Sequence, residues 1–418
     1  MKRLLLLIIS VFFLGVMLAY TQDKPYALGL VKTMSSEKFY GRGFVKKGDK
    51  ISAQFIEIEL KKWGVKPFGE SYQQSFPIDI NTITKAQFET KTHRYKLGID
   101  YLVYAGSSSS HGETQLYIPK DFKLGTFLKT NHQDKWFLLD TIHYKSAELI
   151  ENYRKIINTK AVNNCAGIIE VIPNKLLQTQ RTYQIGFPYL QVKSDAWDTL
   201  AQNVKIRVQN KFIENYQTQN VIGYIQGEMD SFYVFTAHYD HLGLVGNQIY
   251  FPGANDNASG VASVIDLAKY YYLLGKKPKY SIAFMLFSAE EAGLLGSEFY
   301  SKNPLFDLKK IKFLFNLDMV GTGVEGLSVV NGLSHPKASE LIQDINREDS
   351  LFTDIRIGKG SANSDHHYFD QAGVPAIFIY LRGGPQFYHD IYDRSETLEL
   401  NKHDQLIRLL TQFIEKYE

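Results

Sequence analysis

Residues 231–289 read SFYVFTAHYDHLGLVGNQIYFPGANDNASGVASVIDLAKYYYLLGKKPKYSIAFMLFSA. SFYVFTAH (231–238) is an apolar run of strand length that ends on a histidine, and YSIAFMLFSA (280–289) is a second such run. Between them, NASGVASVIDLAKYYYLL (257–274) spaces its apolar residues as a helix does. The order strand, helix, strand is the repeating unit of a parallel sheet.

The same alternation continues downstream. LLGSEFYSK (294–302) begins a helix, IKFLFNLDMV (311–320) and LSVV (327–330) read as strands, and HPKASELIQDINRE (335–348) reads as a helix. VPAIFIYL (374–381) is a further strand, and the chain closes on a helix in NKHDQLIRLLTQFIEKYE. This pattern predicts an α/β three-layer sandwich around a mixed, largely parallel sheet. Upstream, residues 24–65 read as two helices flanking a Gly-rich connection, with Ile51, Phe55, Ile58 and Leu60 near helical spacing. Residues 91–216 differ. They hold short β-rich runs (KWFLLD, AGIIEVI), a polar helix in SAELIENYRKIINTKAV, and histidines 93, 111, 132 and 143 without clustered acids. They read as an inserted smaller β-rich domain with no visible chemistry, leaving 22–90 plus 217–418 as the main domain.

The chain has 418 residues, 44% hydrophobic and 22% charged, enough for a large domain with an insertion. A net charge of only +3 gives no reason to expect nucleic acid or an acidic membrane as a partner. The first residues carry Lys2 and Arg3 before an apolar run from Leu4 to Leu18, the layout of a signal peptide covering 1–21 and cut near Ala19 to Thr21. An uncleaved anchor is the rival reading. The expected location is therefore exported, periplasmic or secreted, with no stable membrane insertion once the leader is removed. The single cysteine, Cys165, excludes an internal disulfide and reads as a buried, inert thiol.

Ligand sites in sheets of this kind lie beyond the carboxyl ends of the strands. Acids and histidines gather at those positions. His238, Asp240 and His241 follow the first strand, Asp256 stands at the head of the next helix, and Glu290 and Glu291 follow the second strand. Asp318 ends the third strand, and Tyr388, His389 and Asp390 come in the loop after VPAIFIYL. Singly, Asp256 is a helix cap, His238 a core histidine and the two glutamates a polar turn. Their shared registration at strand ends points instead to a metal site.

Two histidines and several carboxylates without cysteine suit zinc, and less often cobalt or manganese. The acids are too many for one tetrahedral ion, and a single carboxylate can bridge two ions about 3.5–4 Å apart. Asp256, short and held at a helix start, fits that role. In an extended segment neighbouring side chains diverge, so Glu291 can ligate a metal while Glu290 faces the attacking water as general base and then acid.

With these residues in view the sequence resembles the exported dizinc aminopeptidases, in the family that also holds glutamate carboxypeptidase, the transferrin-receptor ectodomain and the glutaminyl cyclases. The matching stretches are TAHYDHLG, GANDNASGVA, FSAEEAGLLGS, NLDMVG, SDHHYFDQAGVPAIFI and YHDIYD, in the family's order. EKFYGRGFVKKGD is similar to the family's N-terminal region, and GIIEVI with FPYLQV resembles its protease-associated insert. The implied fold is the phosphorylase/hydrolase-like zinc peptidase. The resemblance implies two Zn2+ ions per chain. His238 and Asp318 would hold one, Glu291 and His389 the other, and Asp256 would bridge them. Glu290 would be the general base, Asp240 would orient His238, and Asp365 would organise the site. Tyr388 would steady the oxyanion or be only an aromatic wall. His241 and His367 fall outside the ligand set.

The implied reaction is release of an N-terminal residue from peptides with a free amine. An apolar residue is expected, received in an aromatic-lined pocket that includes Phe387. A carboxypeptidase would want a basic group for the substrate carboxylate, and Arg382 is the nearby candidate. Two alternatives stand beside this: a glutaminyl-peptide cyclotransferase-like enzyme with one zinc, and a non-catalytic binding ectodomain.

Overall fold

The apolar runs that lack alternation become the centre of the sheet, because a parallel strand is covered on both faces. In the computed structural model, residues 23–118, 132–140, 165–173 and 175–417 are described. The leader at 1–21, the polar helix at 146–162 and the side chain of Cys165 lie outside them. The chain enters through α1 (Lys24–Met34) and α2 (Gly48–Lys62) and then runs into a long strand, β1 (Gln73–Glu89). Short strands follow: β2 (Tyr101–Val103), β3 (Ser110–Tyr117), β4 (His132–Asp140), β5 (Cys165–Ile172) and β6 (Tyr189–Lys193). A second long strand, β7 (Asn203–Ile225), leads to β8 (Met229–His238), the hairpin β9 (Leu244–Val245) and β10 (Ile249–Tyr250), and α3 (Ser259–Leu273). The remaining elements are β11 (Tyr280–Phe287), α4 (Leu295–Lys302), β12 (Ile311–Leu317), β13 (Gly326–Val330) and α5 (Pro336–Asp349). They are followed by β14 (Ile355–Ile357), α6 (His366–Gln371), β15 (Ala376–Arg382) and α7 (His403–Lys416).

The sheet order is β14-β13-β15-β12-β8-β11-β7-β3-β4-β5-β6-β2, with β1 on β7. β8 is parallel to both β11 and β12, and β12 is parallel to β15. β7, β13 and β1 supply antiparallel pairings. The two faces of the central strands separate by residue parity, as the pleat requires. Tyr233, Phe235, Ala237, Ile282, Phe284 and Leu286 pack with α1, α2, α3, α5 and α7. Phe232, Val234, Ala283, Met285 and Phe287 pack on the other side with Tyr300 of α4 and Phe369 of α6. Helices therefore cover both faces. On α2 the inward positions are Ala53, Ile56 and Leu60, while Ile58 is 63% exposed, so only part of the apolar spacing read from the sequence faces the core.

A second apolar cluster joins residues 83–103 and 190–208 with Leu242, Val245, Phe251 and Ile391. β1 and β7 pair from Gln73↔Val221 to Glu89↔Lys205, running from the main sheet into this cluster. The junction read at 216/217 falls inside β7. No turn or linker marks it, because β1 and β7 pair across it, with irregularities at Ile78/Ile80 and Ile83/Lys85. Among the described residues no helix is long and apolar enough to cross a membrane.

Candidate metal centre

Strand register brings the acids and histidines to one edge. His238 is the last residue of β8 and pairs with Phe287, the last residue of β11. Asn316 of β12 pairs with Thr236, and Leu317 with Ile379 of β15. The residues that follow these ends therefore emerge level with one another: Glu290 and Glu291 after β11, Asp318 after β12, and His389 in the loop after β15. Asp256 arrives on the loop before α3.

Asp256 stands between two groups. Its Oδ1 lies 3.4 Å from His238 Nε2, which is also 3.4 Å from Asp318 Oδ1. Its Oδ2 lies 3.4 Å from His389 Nε2, which is 3.0 Å from Glu291 Oε2. The 3.0 Å spacing is within hydrogen-bond range, while the three 3.4 Å spacings are long for hydrogen bonds. They suit ligands of a shared cation, since donors about 2.0–2.1 Å from a tetrahedral centre stand about 3.4 Å apart. Asp256 Oδ2 is shielded from solvent and has no hydrogen-bond donor. The donor chemistry, the spacing and this orphaned oxygen all fit zinc. Glu290 Oε2 sits 4.0 Å from His238 Nε2, beside the ligand groups.

The supporting contacts differ in part from the sequence expectation. His238 Nδ1 lies 3.2 Å from the main-chain oxygen of Asp240, and the Asp240 carboxylate is farther, at 3.8 Å. That carboxylate instead accepts the backbone N–H groups of Glu290 and Glu291, at 3.1 and 3.4 Å, and so sets the glutamate pair. Asp318 Oδ2 accepts from Ser364, which is tied through Asn316 to Thr236 in a buried polar chain. Asp365 is fully buried, and neither carboxylate oxygen has a hydrogen-bond partner. His241, set apart from the ligands in the sequence, lies against Glu291, with Nδ1 2.6 Å from Oε1. It also forms a triplet with Asp256 and Glu291 whose ligand atoms lie within 4.8 Å of one another.

Other supports come from residues no motif marked. Gln180 Nε2 donates to the carbonyl of His241 at 2.6 Å, and Gln178 N to that of His389 at 3.3 Å. Lys175 donates to the carbonyls of Gln386 and Tyr388 and pairs with Asp390 at 3.2 Å. The stretch read as lacking chemistry thus braces both histidine loops. Apart from the Lys175–Asp390 pair, its side-chain contacts to these loops are to main-chain carbonyls, which any donor can make, so composition carries no signal of them.

The charges within the cluster drive the glutamate pair apart. Burial pushes Glu290 well above the usual carboxylate range, opposed by His238 and reinforced by Glu291, Asp365 and Asp318. Burial acts upward on Glu291 too, but His389 and His241 hold it well below that range. One glutamate is suited to carry a proton and its neighbour to stay anionic, the arrangement that separates acid–base and ligand roles. Burial lowers the affinity of His389 for a proton, but Glu291 and Asp256 more than offset it, raising its pKa to about 9. Burial also takes Asp240 up to about 8.

Tyr388 is half-exposed, its ring stacked on His389 at 3.8 Å. Partial burial and the carboxylates Asp256, Glu291, Glu290 and Asp318 keep its phenol protonated far above neutrality. Phe387 is partly buried, 6.1 Å from the ring of Tyr392. Arg382 is nearly buried and pairs with Asp354 at 2.5 Å.

Residues 220–414 match peptidase family M28. Aminopeptidase YwaD of Bacillus subtilis is 30% identical over 375 residues, which cover 81% of this chain and 78% of that protein. Leucine aminopeptidase 1 of Metarhizium robertsii is 24% identical over 284 residues, 62% of this chain and 72% of that one. Among solved structures, the fold is shared with BSAP, a zinc aminopeptidase from Bacillus subtilis, at a TM-score of 0.68 and 22% identity, covering 95% of this chain and 97% of that one. It is shared also with a peptidase M28 precursor from Shewanella amazonensis, at a TM-score of 0.69 and 17% identity, covering 94% and 93%.

Proposed function

The chain belongs to peptidase family M28, and from that premise we propose that it is a zinc-dependent aminopeptidase that removes an apolar N-terminal residue from peptides. The observation that carries the reading is the Asp256 carboxylate, which turns one oxygen toward His238 and the other toward His389 at the same 3.4 Å. Two zinc ions would share it, one with His238 and Asp318, the other with Glu291 and His389. Zinc held there supplies Lewis acidity toward a peptide carbonyl and makes water acidic enough to attack near neutral pH.

The protein's own groups do the rest. Glu290 takes a proton from the attacking water and passes it to the departing amine. Tyr388 donates its O–H to the carbonyl oxygen as negative charge develops there. The carboxylate-rich site receives the free α-amine of the substrate. A carboxypeptidase would need a free cation for the substrate's carboxylate, and Arg382, the side chain read for that role, is engaged by Asp354.

The test is amino-acid release from a set of short peptides, with zinc measured in the same sample. Release of the first residue, its loss on chelation, its return on adding zinc and the resistance of N-acetylated peptides are the expected results. Release from the carboxyl end would overturn the reading. Ammonia from N-terminal glutamine, with one zinc and no free amino acid, would replace it with a cyclotransferase. Tyr388→Phe is expected to lower kcat about 100-fold with zinc content unchanged, the usual cost of one oxyanion donor. Unchanged kcat would make Tyr388 a wall residue.

We also place the protein outside the cytoplasm, on the strength of Lys2, Arg3 and the apolar run to Leu18. Mass spectrometry of the exported protein should find a chain beginning near residue 20. A full-length chain in the membrane fraction would mean an anchor instead.

A further inference from the structure

Arg42 lies in the Gly-rich connection between α1 and α2, with a backbone φ of 54° and no exposed surface. A guanidinium has five N–H donors, and here they meet five main-chain carbonyls. Nε donates to Tyr239 O at 2.8 Å. Nη1 donates to Met34 O at 3.2 Å and Pro252 O at 2.6 Å, and Nη2 to Gly253 O at 2.7 Å and Asp256 O at 3.1 Å. Four of these acceptors belong to the two segments that carry His238 and Asp256. Gly253, with φ of 56°, allows this approach, since a Cβ there would stand 2.6 Å from Arg42 Nη2 and 2.2 Å from Asp256 O.

The same loop is held from its opposite side by Asp393, four residues beyond His389. The Asp393 carboxylate accepts the N–H of Asn255 at 2.9 Å and of Asp256 at 2.9 Å, and its carbonyl accepts that of Ala254 at 3.0 Å. The carbonyls of the Asp256 loop thus go to Arg42 and its amides to Asp393. Both partners are buried, so neither set of bonds is exchanged for water. Among the described residues Arg42 has no carboxylate in contact. A buried unpaired cation is costly. The nearby negative charges of Asp256, Asp393, Asp240 and Glu291 favour its charged form.

We propose that Arg42, opposed by Asp393, is a positioning residue for the metal centre, a five-point clamp that sets where the Asp256 carboxylate stands. The clamp is made by the N-terminal connection, so the first helices and the zinc ligands form one unit. This rests on reading His238, Asp256, Glu291, Asp318 and His389 as zinc ligands. Lysine at position 42 keeps the charge but not the planar fork, and asparagine at position 393 keeps the shape but replaces one acceptor oxygen by a donor.

The experiment measures zinc affinity by chelator competition in the wild type, Arg42→Lys and Asp393→Asn. It also compares each protein's thermal midpoint with and without zinc. Both variants are expected to lose about 10–100-fold in zinc affinity, as displaced supports of metal ligands do. The zinc-induced rise in Tm should shrink, and kcat should fall more than KM rises. Equal zinc affinity in variants and wild type would overturn the clamp, as would equal Tm losses with and without zinc. Should Arg42→Lys not fold, Asp393→Asn decides alone. A wild type that binds no zinc would overturn the metal reading itself, a different result from a wild type and variants that bind alike.

Discussion

Glu290→Gln is expected to lower kcat by about 100- to 10,000-fold, the range set by a positioned general base, while the zinc content per chain stays at the wild-type value. The glutamine keeps the length and shape of the side chain. The backbone N–H of residue 290 stays bonded to Asp240, so the loop is not released. What disappears is a group that can accept a proton. Glu290 is suited to that exchange because burial and the neighbouring acids favour its protonated form, while Glu291 beside it stays anionic against His389 and His241. Steady-state kinetics and metal analysis on the same preparation check the division of roles. Parallel loss of zinc and activity would make Glu290 a ligand rather than a base.

Asp256→Ala has the opposite signature. Its carboxylate faces both His238 and His389, so on the proposed two-zinc reading its removal is expected to abolish zinc binding at both positions together. Zinc that binds only the folded state stabilises it by about 4 kcal/mol at a thousandfold excess over Kd. The variant should lose that increment, so its Tm should no longer respond to zinc. Its own Tm without zinc should fall below that of the zinc-free wild type, since burial and Glu291 oppose the Asp256 carboxylate but His238 and His241 more than offset them and hold it below the usual range, a contribution its removal forfeits. Asp256→Asn, which retains one neutral oxygen, should fall between the two. Retention of one zinc by Asp256→Ala would show that the two sites are independent and that the shared carboxylate is not the hub of the centre.

Much of the centre was legible because its residues follow a rule of position. The runs ending at His238, Ala289 and Leu317 are strands of one parallel core, so the acids and histidines after them share an edge. The interactions that hold those residues were not legible. The family resemblance leaves His241 outside the ligand set, and only the turn after β8 aims it at Glu291. Asp240 was assigned to His238, but its carboxylate found the amides of the glutamate pair, a choice between two acceptor geometries within one short loop.

By itself the sequence determined the alternation of buried strands and helices, and with it the edge where charged groups could converge, because burial on both faces of a parallel sheet demands unbroken apolar runs. Tertiary structure alone decided which strands of distant sequence became neighbours, such as β1 on β7, and which side chains met bare backbone, such as Arg42 on the Asp256 loop. A backbone carbonyl looks the same at every position in a sequence. A bond to one is specified only when the folded chain has placed it within reach and excluded water from the space between.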